Sequence, residues 1–463
     1  MNFDKIKDKI LVGILSTSQQ VKYGKSKSGK PIFQVNPLDK SLPSFWMTYG
    51  GKLQGKLIVT FKFKEYIEKT LPFAELHSVI GLADETSLTK ALMFHHQINR
   101  KELAKLSINP LESTIVRKNL KDLYVFSIDP IGCKDIDDAL SIELNDDTLK
   151  VGVHIAQPIC WLTQEEILER AKTAFSTLYT ETNQELWSKE TMQNASLIQN
   201  QEKPAYSTIF TIKQNKIVNI ESFPSIIINK LNTDYDNIDY PEIVSLKKET
   251  EKILGKEIDS HELVSHWMVQ TNNYIGRTFQ NIPFRVQDKT ILESTEYEED
   301  IRNIFNKFQM ESASYSFEKD YHDSLNLNKY THFTSPIRRI IDTMNHYIIT
   351  YNVKLDIDLD KINFLDKQTK KFHRQIELNN TIKNLSDFET VGWIYKKLDE
   401  TRWLVYFKEI GLIKVKVVDD KLKYLIKDTN EYSIGKSYPF KIYKKLGFLP
   451  NEKILIIPDF NLL

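Results

Sequence analysis

Sulfur is scarce in this chain, and long apolar runs are missing from it. Only two cysteines, Cys133 and Cys160, occur in 463 residues. Two are too few for a disulfide framework or a zinc knuckle, so both read as reduced thiols. No apolar run approaches the roughly 18–20 residues needed to span a bilayer, which removes the membrane as an expected partner. The opening MNFDKIKDKILVGIL lacks the apolar stretch and small-residue cleavage site of a secretory signal. A cytoplasmic location is therefore expected, with an organellar or viral origin left open. There is no internal repeat and no low-complexity tract, and the length suggests about three domains.

Net charge is nearly absent too, at +1, until it is divided along the chain. Residues 1–64 hold 12 lysines against 3 aspartates, about +9. Residues 401–463 hold 12 basic against 7 acidic residues, about +5, which leaves the middle near −13. Basic ends around an acidic centre suit a polyanion held by the flanks and cut at a cation-requiring centre. A chance distribution over solvated faces is the alternative.

The first region is strand-like and lysine-rich: ILVGIL, the turn-forming KYGKSKSGKP, IFQV and KLIVTFKF. It reads as a small OB- or cold-shock-like barrel followed by a helical linker, SLTKALMFHHQINRKELAKL, together spanning 1–114. Tyr23, Phe33, Phe45, Trp46 and Tyr49 either stack on bases between the lysines or fill the barrel core. Residues 115–398 mix short strands with long helical patterns, an α+β domain. Residues 399–463 contain WLVYFKEI, LIKVKVV, KLKYLI, YPFKIY and KILIIPDF. Five short strands with polar turns and many lysines suggest a second, OB-type barrel.

The chemistry is concentrated in LYVFSIDPIGCKDIDDALSIEL. LYVFSI reads as a strand ending at Asp129, and ALSIEL and LKVGVHIA read as a hairpin turning at Asn145–Asp147. Asp129, Asp135, Asp137 and Asp138 thus share a strand end and one tight loop. Four carboxylates so close repel one another unless a cation neutralises them. Oxygen donors without a His or Cys set favour Mg²⁺ or Mn²⁺ over zinc. A solvated acidic loop or a structural Ca²⁺ site remains the alternative, although the EF-hand spacing is absent.

A second feature lies in KYTHFTSPIRRIIDTMNHYII. Ser335 suits an N-cap and Pro336 the first helical position. Arg338, Asp342 and His346, each four apart, would form a polar ridge beside an apolar face of Ile337, Ile341, Met344 and Ile348. A helix start carrying Ser335, Arg338 and Arg339 suits phosphate, and an arginine there can stabilise charge on a scissile phosphate. A capped helix with an ordinary Arg338–Asp342 pair is the plainer alternative.

Together the two segments resemble the signatures of the ribonuclease II/R (RNB-domain) family. Ile128–Ser141 follows I-D-P-x-x-x-x-D-x-D-D-A-x-S. Tyr330–His346 follows Y-T-H-F-T-S-P-I-R-R-Y-x-D-x-x-x-H except at Ile340. VHIA at 153–156, Asn272, FRV at 284–286 and His322 are weaker echoes. The resemblance implies a 3′→5′ hydrolytic exoribonuclease that degrades single-stranded RNA to nucleoside 5′-monophosphates with Mg²⁺. It implies Asp129, Asp135 and Asp138 as metal ligands. Asp137 would be the carboxylate most critical to chemistry, by holding a second metal or orienting water, and Arg338 would contact the scissile phosphate.

The resemblance also asks for a tyrosine under the 3′-terminal base. Thr163–Glu166 looks like a capping box opening a helix, and Tyr179 after that helix is the candidate, with a core or surface tyrosine as the alternative. A glutamate that many members carry shortly before a tryptophan has only imperfect counterparts, Asp387 ahead of Trp393 and Glu377. Gln157 replaces a frequent aspartate. The flanking barrels look reduced. A monomer is expected, with a host or exosome-like complex left open, and the rival reading is a catalytically silent RNA-binding protein of the same fold.

Overall fold

Alternating apolar residues between turn-formers produce a small barrel first. In the computed structural model, which describes residues 3–17, 23–100, 108–145, 147–289, 297–417 and 432–458, it comprises five strands. They are β1 (Ile10–Ser16), β2 (Ile32–Pro37), β3 (Phe45–Thr48), β4 (Lys56–Glu65) and β5 (Phe73–Leu82). The strands close in the order β1-β2-β3-β5-β4, and parallel pairing of Trp46 with Phe73 completes the ring. Phe33, Phe45 and Tyr49 point into its core with Leu15, Val35 and Phe61. The base-stacking alternative therefore does not apply to those three, whereas Tyr23 and Trp46 are half-buried. Helix α1 (Glu85–His95) follows, capped by the Asp84 carboxylate. It is shorter than the expected linker helix, and residues 101–107 of that expectation lie outside the described residues.

The central sheet is built from β6 (Lys118–Asn119), β7 (Val125–Asp129), β8 (Asp138–Asn145), β9 (Thr148–Ala156), β10 (Glu202–Lys213) and β11 (Lys216–Asp234). Its order is β10-β9-β8-β7-β11-β6, and β11 also pairs with β10. The long β11 lies antiparallel to β10 along its first part and parallel to β7 along its last, so the sheet folds back on itself. The near-unbroken burial of VHIA in β9 fits a strand covered on both faces. Helices α2 (Gln164–Ala171), α3 (Lys189–Ala195), α4 (Pro241–Leu254) and α5 (Ser260–Thr278) follow in chain order. The expected capping box is present: Thr163 caps the Glu166 N–H and the Glu166 carboxylate returns to Thr163. Two short ribbons pair β12 (Phe284–Val286) with β13 (Ser314–Ser316) and β14 (Tyr321–His322) with β15 (Leu327–Asn328).

After α6 (Glu299–Gln309), α7 (Ile340–Tyr351) and α8 (Leu359–Asn384), the last barrel-like sheet begins. It holds β16 (Phe388–Asp399), β17 (Arg402–Phe407), β18 (Gly411–Lys416), β19 (Ser437–Lys444) and β20 (Ile454–Pro458), in the order β18-β17-β16-β19-β20. Strand β16, which begins ten residues before 398, was not expected. KLKYLI lies outside the described residues.

The chain forms two compact units rather than three. One comprises Met1–Asn99, Ile291–Met310 and Gln368–Leu463, and the other Arg100–Thr290 and Glu311–Lys367. Both basic ends thus belong to one unit. Within it, His96 hydrogen-bonds Gln368 at 3.2 Å and Gln375 at 2.8 Å, and Lys40 meets Glu452 at 3.0 Å. Lys453 meets Glu85, and Trp393 Nε1 donates to Glu298 at 2.7 Å. The first unit thus carries a closed, OB-like five-stranded barrel and a barrel-like five-stranded sheet, and the second an α+β core around the six-stranded sheet.

In the second unit α5 packs tightly on the segment ahead of the arginine motif. A Cβ added to Gly276 would sit 2.0 Å from the Lys329 carbonyl oxygen. A backbone atom cannot swing aside as a side chain can, so Gly276→Ala should destabilise the protein by about 2 kcal/mol or more. Chemical denaturation should show a lowered midpoint, and an unchanged midpoint would mean the helix moves freely there.

Candidate active site

Strand β7 delivers Asp129 to its C-terminal end, where parallel β11 places Asp234 beside it in register. Gly132, at φ 79°, then turns the chain in a conformation that suits glycine. The loop re-enters the fold at Ile136, whose N–H donates to Ser196 Oγ at 2.9 Å. Ser196 Oγ donates in turn to the Lys134 carbonyl at 2.8 Å. Asp138 opens β8, paired with Ile155, and the Asp137 carbonyl accepts the Ala156 N–H. The four aspartates therefore sit where the sequence placed them, on a strand end and one anchored loop.

Their environments differ. Asp137 is 2% exposed and accepts the Ile337 N–H at 2.7 Å on one oxygen and Arg338 Nε at 3.2 Å on the other. Burial pushes its pKa well up, while Arg338 and the Ile337 N–H oppose the shift. Burial and then Asp129 push Asp138 up to about 7, and burial and the charge of Asp135 push Asp129 up to about 6. One buried oxygen of Asp129, Oδ2, has no hydrogen-bond partner among the described residues. Asp135 is half-buried and receives the Tyr179 hydroxyl at 3.2 Å. Among the described residues, no three His, Cys, Asp or Glu side chains converge into a ready-made metal cage.

The arginine motif departs from the expected helix start. Helix α7 begins at Ile340, with Arg339 in the capping position, and Pro336–Arg338 form a turn before it. Ser335 is not an N-cap: it is buried, and its N–H donates to the Asp342 carboxylate at 2.8 Å. Asp342 pairs with Arg339 at 3.0 Å, not with Arg338 as the plainer alternative had it. The physical reason lies in the turn's partners. The Thr177 N–H donates to the Arg338 carbonyl at 2.9 Å, and Trp187 Nε1 donates to the Pro336 carbonyl at 3.3 Å. Arg338 is thereby released from a helical ridge and aimed at Asp137, with 44% of its side chain exposed.

Buried polar residues fix the preceding stretch. Asn272 donates to Tyr330 Oη at 3.1 Å and accepts the Phe333 N–H at 2.8 Å. Asn345 Nδ2 donates to Thr331 Oγ1 at 3.0 Å and to the His332 carbonyl at 2.8 Å. His346 bonds the Phe333 carbonyl at 2.8 Å and stacks on the Phe333 ring at 3.6 Å. Its burial lowers its pKa to about 3, so it serves as a neutral brace.

Tyr179, 44% exposed, stands beside Asp135 on a hairpin closed by paired backbone bonds between Leu178 and Gln184. Asp387 and Glu377 belong to the other unit. Both are exposed: Asp387 accepts the Lys444 N–H at 2.7 Å, and the Glu377 carbonyl takes the Thr381 hydroxyl at 3.0 Å. Gln157, standing for the frequent aspartate, is buried and bonded to Thr350 and Arg117.

The sequence reading missed the end of β11. Asp129, Gly132, Cys133, Asn232, Asp234 and Asn237 line a cavity of about 250 Å³. Tyr235 stacks on His261 at 3.8 Å. Burial and then the charges of Asp138 and Asp129 push its hydroxyl up to about 12. Only the parallel register of β7 and β11, a pairing about 100 residues apart in sequence, brings these groups to the site.

The family model described as RNB domain matches residues 117–252 and 286–354, two blocks that contain both motifs. Ribonuclease R of Chlamydia pneumoniae is 23% identical over 376 residues, covering 63% of this chain and 55% of the relative. The chain spans about half the length of the curated relatives it matches. The apo form of Mycoplasma genitalium RNase R matches with a TM-score of 0.76 at 17% identity, over 97% of this chain and 90% of that one. The same protein in complex with ribose methylated single-stranded RNA gives the same score. Yeast Ssd1, a pseudonuclease, matches at 0.68 and 16% identity, over 89% of this chain and 66% of that one. Two motifs in family order, both inside the matched blocks and joined in space through Asp137 and Arg338, make this chain a member of the ribonuclease II/R (RNB-domain) family.

Proposed function

We propose that the protein is a 3′→5′ hydrolytic exoribonuclease that degrades single-stranded RNA to nucleoside 5′-monophosphates in a Mg²⁺-dependent reaction. The observation that carries this reading is the contact of Arg338 with the buried Asp137, beside the half-buried Asp129, Asp135 and Asp138. It puts an always-charged phosphate-binding group beside the most deeply buried acid of the acidic loop. The name of the chlamydial relative and the RNA-bound form of the mycoplasmal neighbour support RNA as the substrate.

An all-oxygen donor set and an unpartnered Asp129 oxygen fit a hard divalent cation. Asp129, Asp135 and Asp138 would hold it, with Asp137 holding a second ion or orienting water; Mn²⁺ would suit the same donors. Mg²⁺ commonly takes only one or two carboxylates, with water and substrate phosphate completing its shell. When bound, it supplies a polarised phosphate and an activated water. The chain's own residues do the rest. Asp137 takes the Nε N–H of Arg338, whose side chain stays 44% exposed and so open to a phosphate. Bonds from Thr177 and Trp187 to the Arg338 and Pro336 carbonyls hold that turn in place, so little reorganisation accompanies charge build-up. Tyr179 offers an exposed ring beside Asp135 for the terminal base.

A time course on 5′-labelled single-stranded RNA tests this reading. With Mg²⁺ the RNA should shorten from its 3′ end, and EDTA or Asp137→Asn should abolish shortening while binding persists. No shortening by the unmodified protein with Mg²⁺ or Mn²⁺ would favour the silent reading, for which the pseudonuclease of the same fold is the precedent.

Arg338→Ala should lower kcat by about a hundredfold or more, as loss of one transition-state donor does, with a smaller change in RNA affinity. Rate and affinity falling together would make Arg338 a binding residue instead.

A further inference from the structure

Arg100 is the first residue of the second unit, directly after the segment that completes the barrel unit's first stretch. It has been given no role by the motifs, and its guanidinium is an unusual one. Nη1 donates to the carbonyls of Gln184 and Glu185, the latter at 2.8 Å, and Nη2 donates to the carbonyl of Ser176. Its Nε is buried with no hydrogen-bond partner among the described residues. Burial and then the neighbouring Arg170 charge pull its pKa down to about 9, with partial relief from Glu185. Placing a guanidinium here is costly, and three backbone carbonyls are what it gains.

Those carbonyls are not scattered. Ser176, Gln184 and Glu185 are the two legs of the hairpin whose tip carries Tyr179. Gln184 is also the residue whose backbone pairs with Leu178, next to Tyr179. On the opposite side, Ser176 bridges to Arg339, and the Thr177 N–H donates to the Arg338 carbonyl. The planar fork of an arginine can clamp both legs at once, which the single point charge of a lysine does less well.

We infer that Arg100 is a positioning residue: by clamping both legs of the hairpin it holds Tyr179 where the 3′-terminal base of the RNA stacks. The inference rests on Tyr179 being that platform, as proposed above. A platform that holds the terminal base equally in ground and transition states acts on KM, with kcat little changed.

The test uses full-length protein and an RNA whose 3′-terminal base is 2-aminopurine, bound in the Asp137→Asn background so that it is not cleaved. Stacking on Tyr179 should quench the fluorescence, and Tyr179→Ala should abolish the quenching. Arg100→Met should lose it as well, Arg100→Lys should retain part of it, and Arg100→Met with Tyr179→Ala should be no worse than Tyr179→Ala alone. With Asp137 intact, Arg100→Met should raise KM for a short RNA as Tyr179→Ala does, leaving kcat nearly unchanged. Full quenching by a folded Arg100→Met protein, or losses that add to those of Tyr179→Ala, would overturn the inference. Unchanged quenching in Tyr179→Ala would instead remove the platform itself, and the inference with it. Should Arg100→Met fail to fold, Arg100→Lys decides: full quenching counts against the clamp and partial loss supports it.

Discussion

A buried carboxylate joins the two informative halves of the sequence. Asp137 takes an N–H from Ile337 and a guanidinium N–H from Arg338, about 200 residues away along the chain. Neither partner alone would make its burial tolerable, because an ionised carboxylate out of water must be both paired and hydrogen-bonded. The acidic loop and the arginine turn therefore cannot be placed independently. Once Asp137 is seated, Arg338 is aimed, and the turn that carries it must sit against β8 and β9.

The neighbourhood is organised to keep that contact in one geometry. Asn272 on α5 and Asn345 and His346 on α7 satisfy the backbone of His332 and Phe333. Asp342 does the same for Ser335 while neutralising Arg339. These are side chains substituting for the regular ladder that an irregular buried segment lacks. Charge follows the same logic: one arginine is locked to a structural aspartate, and its neighbour is left half-exposed beside the acidic floor.

Much of this was legible in residues that obey local rules. Strand β7, the β8–β9 hairpin, the capping box at Thr163 and the four-aspartate loop all announced themselves through period and punctuation. The arginine turn did not. Ser335-Pro336 has the form of a helix opening, yet bonds to Pro336 and Arg338 from Trp187 and Thr177 defer the helix to Ile340. Strand β16 was hidden because FETVGWIYKKLD alternates weakly, and only pairing with β17 and β19 stabilises it. Asp234 and Tyr235 reach the aspartates through a parallel register, which no short window of sequence contains. Local chemistry thus revealed the acids, while the groups surrounding them depend on tertiary pairing.

The division into units has a consequence for how the protein is made. The first barrel closes with residues 10–82, but its unit also requires the segment after Gln368, which supplies Gln368, Gln375 and Lys453 to His96 and Glu85. That segment leaves the ribosome about 270 residues later, on the order of tens of seconds at ordinary elongation rates. The second unit, whose last residue is Lys367, is complete before any of Gln368–Leu463 has been made. Translation order therefore favours a nascent chain in which the acidic core folds before its basic flanks are assembled.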